Sequence, residues 1–121
     1  MAKEHKTVYE RLKERLARIS DVGSANRLLL WDRQTYMPRG GIASRAEQIA
    51  TLSRLAHEML VEDETGRLLD SLGEPDPSSE EGALVRRARR EYERATKLPA
   101  VLVARTARAT TLAEAGLGAG S

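Results

Sequence analysis

The chain has 121 residues, and 20 Lys and Arg against 18 Asp and Glu give it a net charge of +2. With 40% hydrophobic and 31% charged residues, its composition is that of one globular domain, which excludes a disordered chain or two large domains. The absence of cysteine excludes disulfides, thiolate zinc sites and iron–sulfur clusters. No apolar run approaches the ~20 residues of a membrane span or resembles a signal peptide, so we expect a cytoplasmic protein with no membrane partner.

The residue pattern predicts an all-α fold of about six helices in an antiparallel-type array, because Leu and Ala are common and no segment alternates as a strand would. A first helix, residues 4–19, carries an apolar stripe of Tyr9, Leu12, Leu16 and Ile19. A second helix, residues 22–35, contains four consecutive large apolar residues from Leu28 to Trp31. This run covers several faces, so we predict that it is the most buried segment and that Trp31 is buried.

Pro38 and the glycine pair at positions 40 and 41 predict a turn after the second helix. A third helix, residues 42–60, follows, and Ser44 with Glu47 has capping-box spacing at its start. The pattern predicts a short fourth helix that ends at Gly73.

An internal linker, residues 73–79, precedes a fifth helix that begins near Ser78 or Ser79. Its predicted apolar face contains Leu84, Ala88, Tyr92 and Ala95. Pro99 suits the first turn of a sixth helix that runs to about residue 115. We therefore expect one helical segment, 1–115, and a flexible tail, 116–121.

Two local patterns suggest chemistry that the rest of the sequence does not support. His57-Glu58 begins like a helical zinc-protease motif, but Val61 stands where the second histidine is required, so we interpret His57 as lying on a helix flank. An arginine cluster over residues 86–94 has no interleaved aromatic residue for base stacking. We interpret it as a solvated helix face and expect no nucleic-acid partner, although an arginine-rich nucleic-acid binder remains a weaker alternative.

The segment from Trp31 to Gly41 is the most specific part of the sequence. Its Trp, Asp and Thr at a helix end, followed by an aromatic residue and a Met-Pro turn, are compatible with pure architecture. At these residues the chain also resembles a known family, the thermostable zinc metallocarboxypeptidases of the Taq carboxypeptidase type. The resemblance rests on the strings Trp-Asp-x-x-Thr-x-Met-Pro and Lys-Leu-Pro, and it extends from about Tyr9 to Glu114.

The resemblance implies a mainly helical peptidase that removes C-terminal residues from peptides, with zinc held by a His-Glu-x-x-His helix and a later Glu. That helix lies downstream of this sequence in the family. We therefore expect a truncated, N-terminal helical segment that has no catalytic residue and binds no zinc by itself. Members of the family usually have Glu where Gln34 stands.

In the family architecture, the N-terminal helices flank and cover the peptide cleft. Six residues are therefore candidates to face the cleft, or else to form a structural motif that holds the first helices together: Trp31, Asp32, Thr35, Tyr36, Met37 and Pro38. A peptide substrate is expected only for the full-length parent. The alternative function is a helical dimerisation or interaction module without enzymatic activity. In either case we expect a homodimer, since helices that evolved against a larger body leave apolar stripes exposed.

Overall fold

The computed structural model of this chain describes residues 6–35 and 39–114. Within these ranges there are five α-helices, one 3₁₀ turn and no strand, so the predicted all-α fold is confirmed. The helices, in chain order, are α1 (Val8–Thr35), α2 (Ile42–Val61), α3 (Asp63–Leu72), α4 (Glu80–Thr96) and α5 (Ala100–Glu114), and the 3₁₀ turn is Arg39–Gly41. None of these helices is long and apolar enough to cross a membrane. The predicted tail, 116–121, lies outside the described residues.

The first two predicted helices form one continuous helix, α1, so the predicted break near residue 20 is wrong. Gly23 lies inside α1, where a glycine costs roughly 1 kcal/mol relative to alanine. That cost is outweighed because α1 packs along α2 beyond this point. Asn26 Nδ2 in this later half, for example, donates to Ser53 Oγ of α2 at 3.0 Å.

The end of α3 and the start of α4 follow the local sequence signals, whereas the predicted start of α2 does not. Gly73 ends α3 at a positive φ of 59°, as predicted, and its N–H donates to Asp70 O at 3.2 Å. Ser79 is the N-cap of α4, and its Oγ accepts from the Gly82 N–H at 2.9 Å. The Ser44 capping box is wrong, because α2 already begins at Ile42 after Gly41 and has no side-chain cap.

The hydrophobic core lies where α1, α3 and α4 meet. Its buried members are Leu12, Leu68, Leu69, Val85 and Ala88, and Leu16, Leu84 and Tyr92 pack around them. The spacing of Leu68, Leu69 and Leu72 on the short α3 places one apolar face against this cluster. Leu84 is only partly buried, because Val85 takes the central position on α4.

Helices α2 and α5 form the second packed pair. The buried residues of α2 include Ala46, Ile49 and Ala50, and those of α5 are Ala104 and Thr111. These side chains are mostly small, so the two helices can approach closely along their lengths. Thr111 Oγ1 is satisfied within α5, where it donates to Ala107 O at 2.8 Å.

The Leu28–Trp31 run is not the most buried segment, and the prediction that Trp31 is buried is wrong. Trp31 is 60% exposed and Leu28 is 67% exposed, whereas Leu29 and Leu30 are partly buried. The physical reason is that α1 packs on α2 along one side, and within the described residues no helix covers the opposite side at this height. Four consecutive residues point to all sides of a helix, and among the described residues only the side that faces α2 is covered here.

Candidate functional site

The candidate residues lie at the carboxyl end of α1, opposite the start of α2. Asp32 Oδ2 lies 2.9 Å from Arg45 Nη1, and this ion pair joins the two helices. The Arg45 side chain is 20% exposed and that of Asp32 is 40% exposed, so the pair is only partly screened by water. Trp31 stands beside it on the exposed side of α1.

The other candidates are described less fully. Thr35 is the last residue of α1, but its side chain is not among those described. Tyr36, Met37 and Pro38 lie outside the described residues. The structure therefore describes the side chains of Trp31 and Asp32 at one end of α1, and a cleft-facing or structural role stays a prediction for all six residues.

An open groove of about 470 Å³ lies between α1 and the outer face of α2, and its lining includes Leu29, one turn before Asp32, and Ser44, the residue before Arg45. Leu29 forms the α1 side, and the α2 side is lined by Ser44, Glu47, Gln48, Thr51 and Leu52. Glu47 is held at the edge by Arg108 of α5, whose Nε lies 2.5 Å from Glu47 Oε2. The groove thus has an apolar floor with hydroxyl, amide and carboxylate groups along its edge.

This groove can bind an extended polypeptide through apolar contacts and hydrogen bonds, but the described residues show no catalytic arrangement. Within residues 6–35 and 39–114, no group of three His, Asp or Glu side chains is close enough to hold a metal ion. A hydrolytic zinc site needs three protein ligands and an open position for water. Because the described residues do not fit a zinc ion, no step of hydrolysis is assigned to them.

His57 is not on a flank of α2, as the sequence suggested, but is 9% exposed. It follows Ala46 and Ala50 by eleven and seven residues, and this spacing keeps all three on the buried side of the helix. The imidazole is therefore part of the packed interior and does not line the groove.

The arginine cluster on α4 is only partly the solvated face that the sequence predicted. Arg86, Arg87, Arg90 and Arg94 are exposed. Arg89 instead binds the carboxyl end of α3, where its Nη2 donates to Gly73 O at 2.7 Å and to Leu69 O at 3.0 Å. A cation is favourable there because the last carbonyl groups of a helix carry partial negative charge.

Sequence reasoning missed the residues that hold the candidate site in place. Arg45 and Arg108 act through partners that are 13 and 61 positions away, and no local spacing indicates either ion pair. Arg15 is a third case: its Nε donates to Thr65 Oγ1 at 2.7 Å, and its guanidinium also pairs with Glu62. This arginine ties the first third of α1 to the junction of α2 and α3.

The geometry defines an all-α segment with a partly apolar groove and no metal site among its described residues. The profile of the carboxypeptidase Taq (M32) metallopeptidase family matches residues 11–116. The chain therefore belongs to this family, as the Trp-Asp-x-x-Thr-x-Met-Pro and Lys-Leu-Pro strings indicated.

Two relatives are similar over most of the chain. Thermostable carboxypeptidase 1 of Thermus thermophilus is 34% identical over 110 residues, which cover 88% of this chain and 22% of the relative. Carboxypeptidase 1 of Bacillus subtilis is 36% identical over 86 residues, which cover 69% of this chain and 17% of the relative. The chain thus spans about a fifth of the length of these relatives. No solved structure matches it significantly.

Proposed function

We propose that this chain is the N-terminal helical segment of a zinc-dependent metallocarboxypeptidase that removes C-terminal residues from peptides, and that it covers the peptide cleft. The observation that carries this proposal is the family match over residues 11–116. The shares of 22% and 17% of the relatives support a segment that works with a larger body.

The groove beside the Asp32–Arg45 pair supports the cleft-covering role. It combines the apolar side chains of Leu29 and Leu52 with the polar edge formed by Gln48, Ser44 and Glu47. An extended peptide has alternating apolar and hydrogen-bonding groups, which suit such a surface. Trp31 and Leu28, on the exposed side of α1, add an apolar face that a larger body would cover.

A chimaera tests the proposal in the context of an active enzyme. The segment of the Thermus carboxypeptidase that matches this chain is replaced by residues 9–114 of this chain, and release of the C-terminal residue from an unblocked peptide is measured. We expect the chimaera to retain activity and the Asp32→Ala variant to raise KM more than it lowers kcat, because the pair positions the groove. Asp21→Ala, an exposed carboxylate earlier on α1, serves as the matched control. A folded chimaera that cannot release the C-terminal residue would overturn the proposal.

The chain alone is proposed to lack the catalytic zinc site, since the ligands would come from the downstream part of the family fold. Calorimetry with zinc and an assay with blocked and unblocked peptides test this. We expect no tight zinc binding and no peptide cleavage. Submicromolar zinc binding at one-to-one stoichiometry, or release of a C-terminal residue that a chelator abolishes, would contradict it.

A second candidate function is a helical dimerisation module without enzymatic activity, and the exposed apolar side chains favour it. Leu28 and Trp31 are exposed on α1, and Leu98, Val101 and Leu102 are 43–52% exposed around the start of α5. A symmetric dimer is the commonest way to cover such surfaces. Sedimentation of the isolated chain tests this candidate: we expect a homodimer, and a strict monomer at high micromolar concentration would exclude a dimerisation module.

A further inference from the structure

A second cavity, remote from the groove at the end of α1, lies between the middle of α1 and the middle of α4. Its volume is about 550 Å³, which is within the range of small-molecule sites. Leu16 and Ile19 of α1, Leu60 of α2 and Leu84 of α4 form its apolar walls. Arg27 of α1 and Arg87 of α4 are the two cations in its lining.

Large and small side chains alternate along the two facing helices at this cavity. On α1, Ser20 lies one turn after Leu16, and on α4, Ala88 lies one turn after Leu84. Helices α1 and α4 do not pack closely on each other, although both pack on α3. The gap remains open between them, and Leu60 at the end of α2 lines it.

The arginines are placed to present positive charge over these apolar walls. The Arg27 guanidinium folds back along α1: Nη2 donates to Ser24 Oγ at 2.9 Å, and Nη1 lies 3.7 Å from the position that a Cβ on residue 23 would take. Among the described residues, neither Arg27 nor Arg87 has an ion-pair partner. Their guanidinium N–H groups can therefore donate hydrogen bonds to a planar anion, such as a carboxylate, at this cavity.

Glu91, one turn after Arg87, is the single carboxylate of the lining. Two guanidinium groups and one carboxylate leave a local charge of about +1, which complements a monoanion better than a dianion such as phosphate. The leucine and isoleucine walls require the remainder of the ligand to be apolar.

We propose that this cavity binds an amphipathic monocarboxylate, with its hydrocarbon chain against the walls from α1, α2 and α4 and its carboxylate between Arg27 and Arg87. The occupant is a small organic acid with an unbranched or branched apolar chain. This site is separate from the proposed carboxypeptidase role and does not depend on it, because it involves neither the groove beside Asp32 nor a metal ion.

Calorimetric titration of the isolated chain with sodium octanoate tests the proposal, with octanol as the neutral probe of the same length. We expect one octanoate per chain and markedly weaker binding of octanol. Arg87→Gln should weaken octanoate binding about tenfold or more, because a charge-assisted hydrogen bond to the carboxylate is lost. Arg90→Gln is the matched control on the same helix. Since Arg90 is exposed and outside the cavity lining, we expect its affinity to match that of the unchanged chain.

Ser20→Leu provides a second variant that fills the space without removing a charge. Ser20 is exposed on α1, and leucine has a higher helix propensity, so the fold is preserved. We expect this variant to lose octanoate binding while its circular dichroism and Tm are maintained. Absence of octanoate binding to the unchanged chain, equal affinity for octanol, or unchanged binding in Arg87→Gln or Ser20→Leu would each overturn the proposal.

Discussion

Gly82 and Asp76 are so close that a Cβ atom on residue 82 would overlap the Asp76 carbonyl oxygen. The same carbonyl oxygen accepts the Ser79 N–H at 3.0 Å and the Ser79 Oγ–H at 2.6 Å. The first turn of α4 is thus packed directly against the linker that leads into it. Only a residue without a side chain fits at position 82.

Gly82→Ala is expected to destabilise the protein by about 1–3 kcal/mol, because the added methyl group meets backbone atoms that cannot rotate away. Urea unfolding measures the change in the free energy of unfolding. Gly40→Ala is the control, since a Cβ there has no atom of residues 6–35 or 39–114 within 4 Å, and we expect a change of less than about 0.5 kcal/mol. Equal effects of the two substitutions would contradict the close approach.

Gly23→Ala is expected to stabilise the protein by about 0.5–1 kcal/mol, since alanine is favoured over glycine inside a helix. The nearest atom to the new methyl group would be Arg27 Nη1 at 3.7 Å, which is ordinary contact. Thermal unfolding should show a Tm higher by a few degrees. A lower Tm would indicate that α1 is broken near this residue. It would then support the two separate helices that the sequence predicted.

Ser79→Ala removes the acceptor for the Gly82 N–H and is expected to cost about 1 kcal/mol. Ser78→Ala is the matched control, because Ser78 bonds to the Asp76 side chain and does not cap α4. The free energy of unfolding from chemical denaturation should fall more for Ser79→Ala than for Ser78→Ala. The reverse order would mean that Ser78 is the cap.

Acidification should weaken the linker turn. The backbone N–H and the hydroxyl of Ser78 bind the Asp76 carboxylate and lower its pKa. A lowered pKa in the folded state gives stability that is present above the unfolded pKa of about 3.9 and is lost as pH falls through the folded value. The difference in unfolding free energy between the unchanged chain and Asp76→Asn should therefore be constant above about pH 5 and shrink below about pH 4. A difference that stays constant down to pH 2.5 would contradict this assignment.

Arg89→Met is expected to cost about 1–2 kcal/mol and to speed amide exchange in the last turn of α3, because the Leu69 and Gly73 carbonyl groups lose their donor. Arg90→Met, one residue later on the exposed side of α4, should change stability by less than about 0.5 kcal/mol. Hydrogen exchange combined with denaturation separates the local from the global effect. Equal stability of the two variants would show that Arg89 is solvated like its neighbours.

Much of the fold could be predicted because its signals are local. Gly73 ends α3 and Ser79 caps α4, and each acts through backbone groups within three residues. The candidate site was predictable only as a set of residues at the end of α1. Its ion pair with Arg45 and the groove on the outer face of α2 depend on how the two helices align, which no local spacing specifies.

The sequence by itself determined that this protein is helical, where most helices begin and end, and which family it belongs to, because propensity, caps and ordered motifs are properties of neighbouring residues. Only the tertiary structure decided that α1 continues through Gly23, that His57 is buried and that Trp31 is exposed. Burial depends on which helix covers which face, and the same apolar run is interior or surface according to its neighbours. The role of Arg89 likewise depends on tertiary packing, because its guanidinium reaches the Leu69 and Gly73 carbonyl groups only where the end of α3 lies against α4.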